Sequence, residues 1–191
     1  MQDYDIISIE DAQQYMQNSG GGELLELAVS SLSRAFNEMV GYQIISKEYA
    51  DQVLSGGGTS LLRFPAMNVT ACEKVQYRSG RQSDGTVLWT DLDVTSWELD
   101  YITKLGVVGY DGYIFGRGTQ NYRATFTAGY ALADVPGMIV EQFVAELMRW
   151  MERRHDISSK SAAGNADVTI SYRDLTIETR RVLQSFARIG I

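Results

Sequence analysis

The sequence predicts an α+β fold: a small bundle of about four helices, interrupted by a long β-hairpin-rich insertion and finished by a C-terminal arm and helix. Three observations predict it. Apolar residues recur at threes and fours near both ends of the chain, which is the helical period. From about residue 43 to residue 130 the pattern changes to short runs rich in Val, Ile, Thr, Tyr and Trp separated by glycine turns, which is strand chemistry. With 45% apolar residues and only 2 prolines in 191, the chain can bury a core and does not read as disordered.

The first helix is short. Ser8 is placed as its N-cap, Asp11 stands three residues on like an acidic capping-box partner, and Ile9, Ala12, Tyr15 and Met16 share a face. Gly20, Gly21 and Gly22 break it. A long helix over about 23–40 follows, with Leu25, Ala28, Leu32, Ala35, Phe36 and Met39 on one stripe and Gly41 as C-cap. Strands are expected at about 44–54, 60–64, 69–78, 86–90, 95–103, 112–115 and 121–127. The turns between them are Ser55-Gly56-Gly57-Gly58, Ser79-Gly80-Arg81, Asp84-Gly85 and Gly116-Arg117-Gly118. Pro65 should end its strand. Asp134 and Pro136 open a helix running to about Arg154, with Ile139, Phe143, Leu147 and Trp150 in line and Val140, Val144 and Met151 beside them. Gln142, Glu146, Arg149 and Arg153 form its wet side. Residues 158–165 read as a small-residue linker, Val168 to Tyr172 as an alternating strand or extended arm, and about 176–189 as a final helix. That helix is expected to bury Val182, Phe186 and Ile189 and to display Arg180, Arg181 and Arg188. The parts form a single domain over 1–191, with a helical body at 8–41 and 134–155, a β-rich insertion at 43–130, and an arm and helix at 158–191.

Charge is unevenly spread within the net −7. Residues 1–148 carry 9 Lys and Arg against 19 Asp and Glu, a balance of −10; residues 149–191 carry 8 against 5, a balance of +3. A nucleic-acid binder shows a basic stripe and a high pI; this chain shows the opposite over most of its length. No apolar run is long enough for a membrane span. The acidic first residues, Asp3, Asp5, Glu10 and Asp11, fit neither a signal nor a transit peptide. Cys72 alone cannot make an internal disulfide, so the expectation is a soluble protein made in a cytoplasm.

Catalytic equipment is thin, and no catalytic, cofactor or metal residue is assigned. His155 is the only histidine and sits at a helix end, where a cation is favoured by the dipole. Cys72 lies in a predicted strand and reads as a small buried side chain. One His and one Cys cannot build a structural zinc site. Asp91, Asp93, Glu98 and Asp100 could gather a hard cation, but their spacing also fits a solvated sheet face, which is the preferred reading. The glycine clusters lack the partners of a phosphate loop or dinucleotide turn. Tyr110, Tyr113, Phe115, Tyr122, Phe126 and Tyr130 have only Arg117 and Arg123 interleaved, which suits core and interface packing better than base stacking.

Several segments, in order, resemble a known family. Ile7-Ser8-Ile9-Glu10-Asp11-Ala12-Gln13-Gln14-Tyr15-Met16 is close to an "ITLEDAKAYL" opening, and Val40-Gly41-Tyr42 matches a "tGr" turn after the long helix. Leu62-Arg63-Phe64-Pro65-Ala66-Met67-Asn68-Val69 resembles "L-P-x-x-P-V" without the second proline. Phe126-Thr127-Ala128-Gly129-Tyr130 before Val135-Pro136 is similar to "Y-x-A-G-Y" followed by "vP". The stretch from Gly164 to Tyr172 resembles a linker and "S-V-x-Y" arm, and Val182 to Arg188 a closing "L-x-x-Y-R-R" helix with Phe186 in place of Tyr. Together they resemble the head–tail connector (adaptor, or head-completion) family of tailed bacteriophages. The 43–130 excursion is longer than in compact members.

The resemblance implies a non-enzymatic virion component of the neck: a ring, commonly a dodecamer, attached to the portal, extending the genome channel and offering the docking surface for a downstream stopper or tail-completion protein. DNA would pass without specific binding, no cofactor and no membrane would be involved, and synthesis would be in the host bacterial cytoplasm. An acidic body suits a wall past which DNA slides. The expected portal or neighbour contacts are Val168, Ile170, Tyr172, Arg180, Arg181, Phe186 and Arg188, and removal of residues 173–191 is expected to leave the body folded but unable to attach. The competing reading is a tail-associated protein- or carbohydrate-binding module using the aromatic β region, with Trp89 and Trp97 as its platform. A small hydrolase built on Asp91 and Asp93 is the least favoured.

Overall fold

The computed structural model describes residues 3–16, 22–92, 106–109, 113–158 and 170–187, the side chains of 154–158 excepted. The chain divides into two compact units, residues 1–45 with 130–191 and residues 46–129. The first is helical and the second is β, so the architecture is the α+β arrangement expected.

In the helical unit, α1 (Ile9–Tyr15) starts where Ser8 Oγ accepts the Asp11 N–H at 3.0 Å and donates to the Asp11 carboxylate at 2.7 Å. Only Ala12 of α1 is buried. The anchor is the segment before it: Asp5, Ile6 and Ile7 are buried. The Ile6 N–H donates to Ser33 Oγ at 3.1 Å, and Ser30 Oγ donates to the Asp5 carboxylate at 2.9 Å, so polar groups of the next helix hold this segment. That helix, α2 (Glu23–Val40), buries Leu25, Ala28, Leu32, Ala35 and Phe36 as its spacing predicts, and Val29, Ser33 and Val40 as well. Gly41 ends it in the left-handed region at φ 82, where a side chain would be strained. Asn37 Oδ1 then accepts the Ile44 N–H at 2.8 Å, and the Tyr130 N–H donates to the Ile44 carbonyl at 2.8 Å, closing the unit where the chain leaves and re-enters it.

The helix after the β region departs from expectation at its start. Asp134 does not cap it. Leu132–Asp134 is a 3-10 turn, and α3 (Gly137–Ser158) begins after Pro136, whose carbonyl accepts the Ile139 N–H at 2.8 Å. Ile139, Phe143, Leu147 and Met151 are buried, with the Phe143 ring edge-on to Phe36 at 5.2 Å. α4 (Ile177–Phe186) completes the bundle.

The β unit holds β1 (Lys47–Gly56), β2 (Leu61–Arg63), β3 (Val69–Arg81), β4 (Val87–Asp91), β5 (Val107–Gly109) and β6 (Gly118–Ala128). An antiparallel four-stranded sheet runs β1-β6-β3-β4, and β2 pairs with β5 separately. β6 alternates as a half-buried strand should, with Tyr122, Ala124, Phe126 and Ala128 inward. Phe126 lies between Tyr49, stacked at 4.9 Å, and Phe64, at 4.3 Å, while Tyr113, Phe115 and Tyr122 meet edge to face. The aromatic cluster is thus largely core. β2 ends at Arg63, before Pro65. Two strand expectations need correction. Phe115 makes only an isolated bridge to Thr59, and β5 is a strand the sequence pattern did not indicate. The expected strand at 95–103 lies outside the described residues.

Bulges bend the sheet. β1 shifts register between Tyr49 and Gln52, with Asp51 at φ 48, and its N–H donates to Thr125 Oγ1 at 3.2 Å. At the far end Gly56 lies so close to Gly116 and Tyr122 that a Cβ there would clash with the Gly116 carbonyl oxygen and sit 2.6 Å from the Tyr122 ring.

Candidate functional site

The expected docking residues belong to the C-terminal element of the helical unit. Ser171 opens a 3-10 turn (Tyr172–Asp174): its Oγ accepts the Arg173 N–H at 3.3 Å, and the Asp174 carboxylate accepts the Ser171 N–H at 3.0 Å. Tyr172 therefore sits in a turn, not in a strand, and Ile170 before it is buried. Thr176 caps α4, its Oγ1 accepting the Thr179 N–H at 3.2 Å.

The phase of α4 differs from the expected one. Thr179 and Leu183 point inward, Val182 and Phe186 are half-buried, and Leu175 is buried just before the helix. The Phe186 carbonyl accepts the Tyr42 hydroxyl at 3.2 Å. α4 is a wall of the bundle. Removal of 173–191 would therefore strip core residues, contrary to the expectation that the body would stay intact. Arg181 is exposed, whereas Arg180 is half-buried with its Nε out of solvent and without a hydrogen-bond partner among the described residues. Val168, Arg188 and Ile189 lie outside the described residues, as does the linker at 159–165.

One residue that holds this element lies on the side of α3 opposite to the one its pattern predicts. Glu146 is expected on the wet face of α3, yet it is 2% exposed. One carboxylate oxygen accepts the Thr176 N–H at 2.6 Å; the other accepts Arg149 Nε at 2.7 Å and pairs with its Nη2 at 2.5 Å. Arg149 also donates to the Asp174 carbonyl at 2.6 Å. Burial pushes the Glu146 carboxyl up, but the donors at Thr176, Thr179 and Arg149 outweigh it and hold it below the usual carboxylate range. The result is a charged acid at the N-terminal end of α4, where the exposed amides and the helix dipole favour an anion.

Within the β unit, one sheet face carries a polar network. Gln76 is buried and bridges Asp91 to Arg123 by hydrogen bonds. Lys74 approaches Asp91 at 3.8 Å, Asp51 approaches Arg123 at 3.6 Å, and the Arg123 guanidinium lies 5.0 Å over the Trp89 ring. Asp91 is thus engaged in ion pairing, and Trp89 is capped by a cation. Asp93, Glu98, Asp100, Trp97 and Tyr110 lie outside the described residues. Among the described residues no three His, Cys, Asp or Glu side chains gather into a metal-binding group, and no helix is long and apolar enough to cross a membrane. Cys72, on β3, is half-buried, and burial pushes its thiol up to about 12. The side chain of His155, in the last turn of α3, is not among those described.

The course of the whole chain can be compared with solved structures. It superposes on a chain in the neck of an empty GTA particle, computed with C6 symmetry, with a TM-score of 0.59 over 98% of this chain and 92% of that one, at 13% identity. The two chains share a fold. A second match, in the neck of a native GTA particle computed with C12 symmetry, has a TM-score of 0.55 over 94% of this chain and 89% of the other, at 12% identity. No family model matches the chain, and no curated protein matches it. The likeness is one of fold and extends over both units, the long β region included.

Proposed function

We propose that this protein is a structural subunit of a phage-type head–tail connector: a ring, of twelve copies, that attaches to the portal, extends the DNA channel and presents a surface to the next connector or tail protein. The observation that carries the reading is the shared fold over 98% of the chain with a neck component, which agrees with the order of connector-like segments in the sequence. The C12 and C6 symmetries of the two neck assemblies support a ring. The two compact units act together as one connector subunit. Its role is mechanical and involves no reaction, cofactor or membrane, and it is carried in the virion after synthesis in the bacterial host.

The C-terminal element bearing Val168, Ile170, Tyr172, Arg180, Arg181, Phe186 and Arg188 is the surface that meets the portal or a neighbour. Within it Ile170 is buried and acts as an anchor, Arg181 is available to a partner, and Arg180 brings a buried Nε with no hydrogen-bond partner among the described residues, which a partner acceptor would satisfy. The acidic balance of residues 1–148 lets DNA pass without sticking. A carbohydrate platform is the weaker reading, since Phe115, Tyr122 and Phe126 are core and Arg123 covers the Trp89 ring.

Particles assembled without this protein test the proposal. The expected result is DNA-filled heads and free tails that do not join, rescued by adding the purified chain. Normally joined, infectious or transducing particles in its absence would overturn it.

A further inference from the structure

Two helices of the helical unit present faces that nothing in the described chain covers. On α3, Met138, Glu141, Ala145, Met148 and Glu152 recur at threes and fours opposite the buried line of Ile139, Phe143, Leu147 and Met151. Met138 is 55% and Met148 41% exposed. This stripe is apolar and acidic: among the described side chains Arg149 is turned away to Glu146 and the exposed Arg153 lies to one side, so the charges on the stripe itself are Glu141 and Glu152. On α4 the outward face is centred on Ile177 and Arg181, flanked by Glu178, Gln184 and Ser185, with Arg173 exposed in the turn before it. Ile177 is 61% exposed, the most exposed of the described large apolar side chains on these two helices.

We propose that adjacent copies of this chain join through these two faces, the α3 stripe of one copy receiving the α4 face of the next. Three features argue for a second copy as the occupant. The faces are complementary in charge, Glu141 and Glu152 against Arg173 and Arg181, which outnumber Glu178 on the α4 side. Each has an apolar centre, Met138 and Met148 against Ile177, and methionine and arginine are residues that interfaces favour. The two faces are also different surfaces of one rigidly packed bundle, since α4 is fixed to α3 through Glu146 and Thr176. Joining unlike surfaces propagates head to tail and closes into a ring when the rotation permits, whereas a self-complementary patch stops at a dimer. The inference rests on the connector reading and specifies which surfaces build the ring.

The test is assembly on isolated portal rings, followed by electron microscopy and by sedimentation, with three preparations of the full chain. One is wild type, one carries Glu141→Arg and Glu152→Arg, and one carries Arg173→Glu and Arg181→Glu; circular dichroism confirms that each is folded. Wild type forms closed rings that weaken with salt. Each reversed chain alone has like charges on both faces and assembles about tenfold or more weakly. An equimolar mixture of the two regains assembly, because the basic α3 of one now meets the acidic α4 of the other. Rings formed by either reversed chain as readily as by wild type, or a mixture no better than its components, would overturn the interface and leave the connector reading standing. Wild type that binds no portal ring overturns both.

Discussion

The Glu146 carboxylate accepts the backbone N–H of Thr176 at 2.6 Å, joining the middle of α3 to the N-cap of α4 thirty residues later. The acid is buried, charged and shared with Arg149, whose guanidinium reaches on to the Asp174 carbonyl. Glu146→Ala leaves the Thr176 amide without its acceptor and Arg149 with the Asp174 carbonyl alone, and breaking a buried pair on one side costs about 3 kcal/mol. Urea denaturation followed by circular dichroism reads this directly, and a cost near zero would mean that α4 is held by its apolar contacts alone.

The same carboxylate makes the stability of the helical unit pH-dependent. Its folded pKa lies below the ordinary value, so its contribution is complete above the unfolded carboxylate range, about 4.3, and fades as the pH falls through the folded value. The stability gap between wild type and Glu146→Gln is therefore widest near neutrality and narrows below about pH 4. A gap that grew on acidification would contradict this sign.

Deleting residues 173–191 removes Leu175, Thr179 and Leu183, all buried, together with the Thr176 donor to Glu146. The loss is on the order of 5 kcal/mol from the helical unit. Exposed apolar surface should follow, seen as dye binding and aggregation, so loss of attachment by that truncation is not a clean measure of docking. Arg181→Glu, at an exposed position, is the better probe.

Two glycines separate space from backbone strain. Gly56→Ala places a methyl against the Gly116 carbonyl and the Tyr122 ring, and overpacking of that kind costs about 3 kcal/mol in the β unit. Gly41→Ala meets open space and is opposed only by its positive φ, so it costs about 1 kcal/mol in the helical unit. Thermal unfolding of the two variants should rank them in that order.

The Cys72 thiol, pushed up to about 12 by burial, holds almost no thiolate at neutral pH. Its reaction with a thiol reagent should be slow in the native protein and speed up sharply in denaturant. Rapid native labelling would show that the β3 region opens.

Much of this arrangement was legible in the residues. α2 carries a strong apolar stripe closed by Gly41, and β6 alternates cleanly, so pattern and cap located both. Glu146 was not legible, because a glutamate in a helical pattern reads as solvated and its partners are a distant amide and a neighbouring arginine. The phase of α4 was missed for the same reason: Thr179 is polar by type but buried by its hydroxyl's bond to Gln142 at 3.0 Å. β5 is three residues long and ends on glycine, too short for alternation to register, and exists because Leu61–Arg63 pairs with it. The turn at Tyr172 did have a signal. Ser171 and Asp174 have the spacing of a capping box, which marks a helical start where an extended arm was expected.

A connector subunit forms a ring on the portal, and the proposed role stands or falls on this chain doing so. Electron microscopy of portal-bearing, DNA-filled heads mixed with the purified full-length chain tests it most directly. The expected image is a closed ring of this protein coaxial with the portal, lengthening the channel beneath it. Portal vertices that remain bare at saturating protein would contradict it.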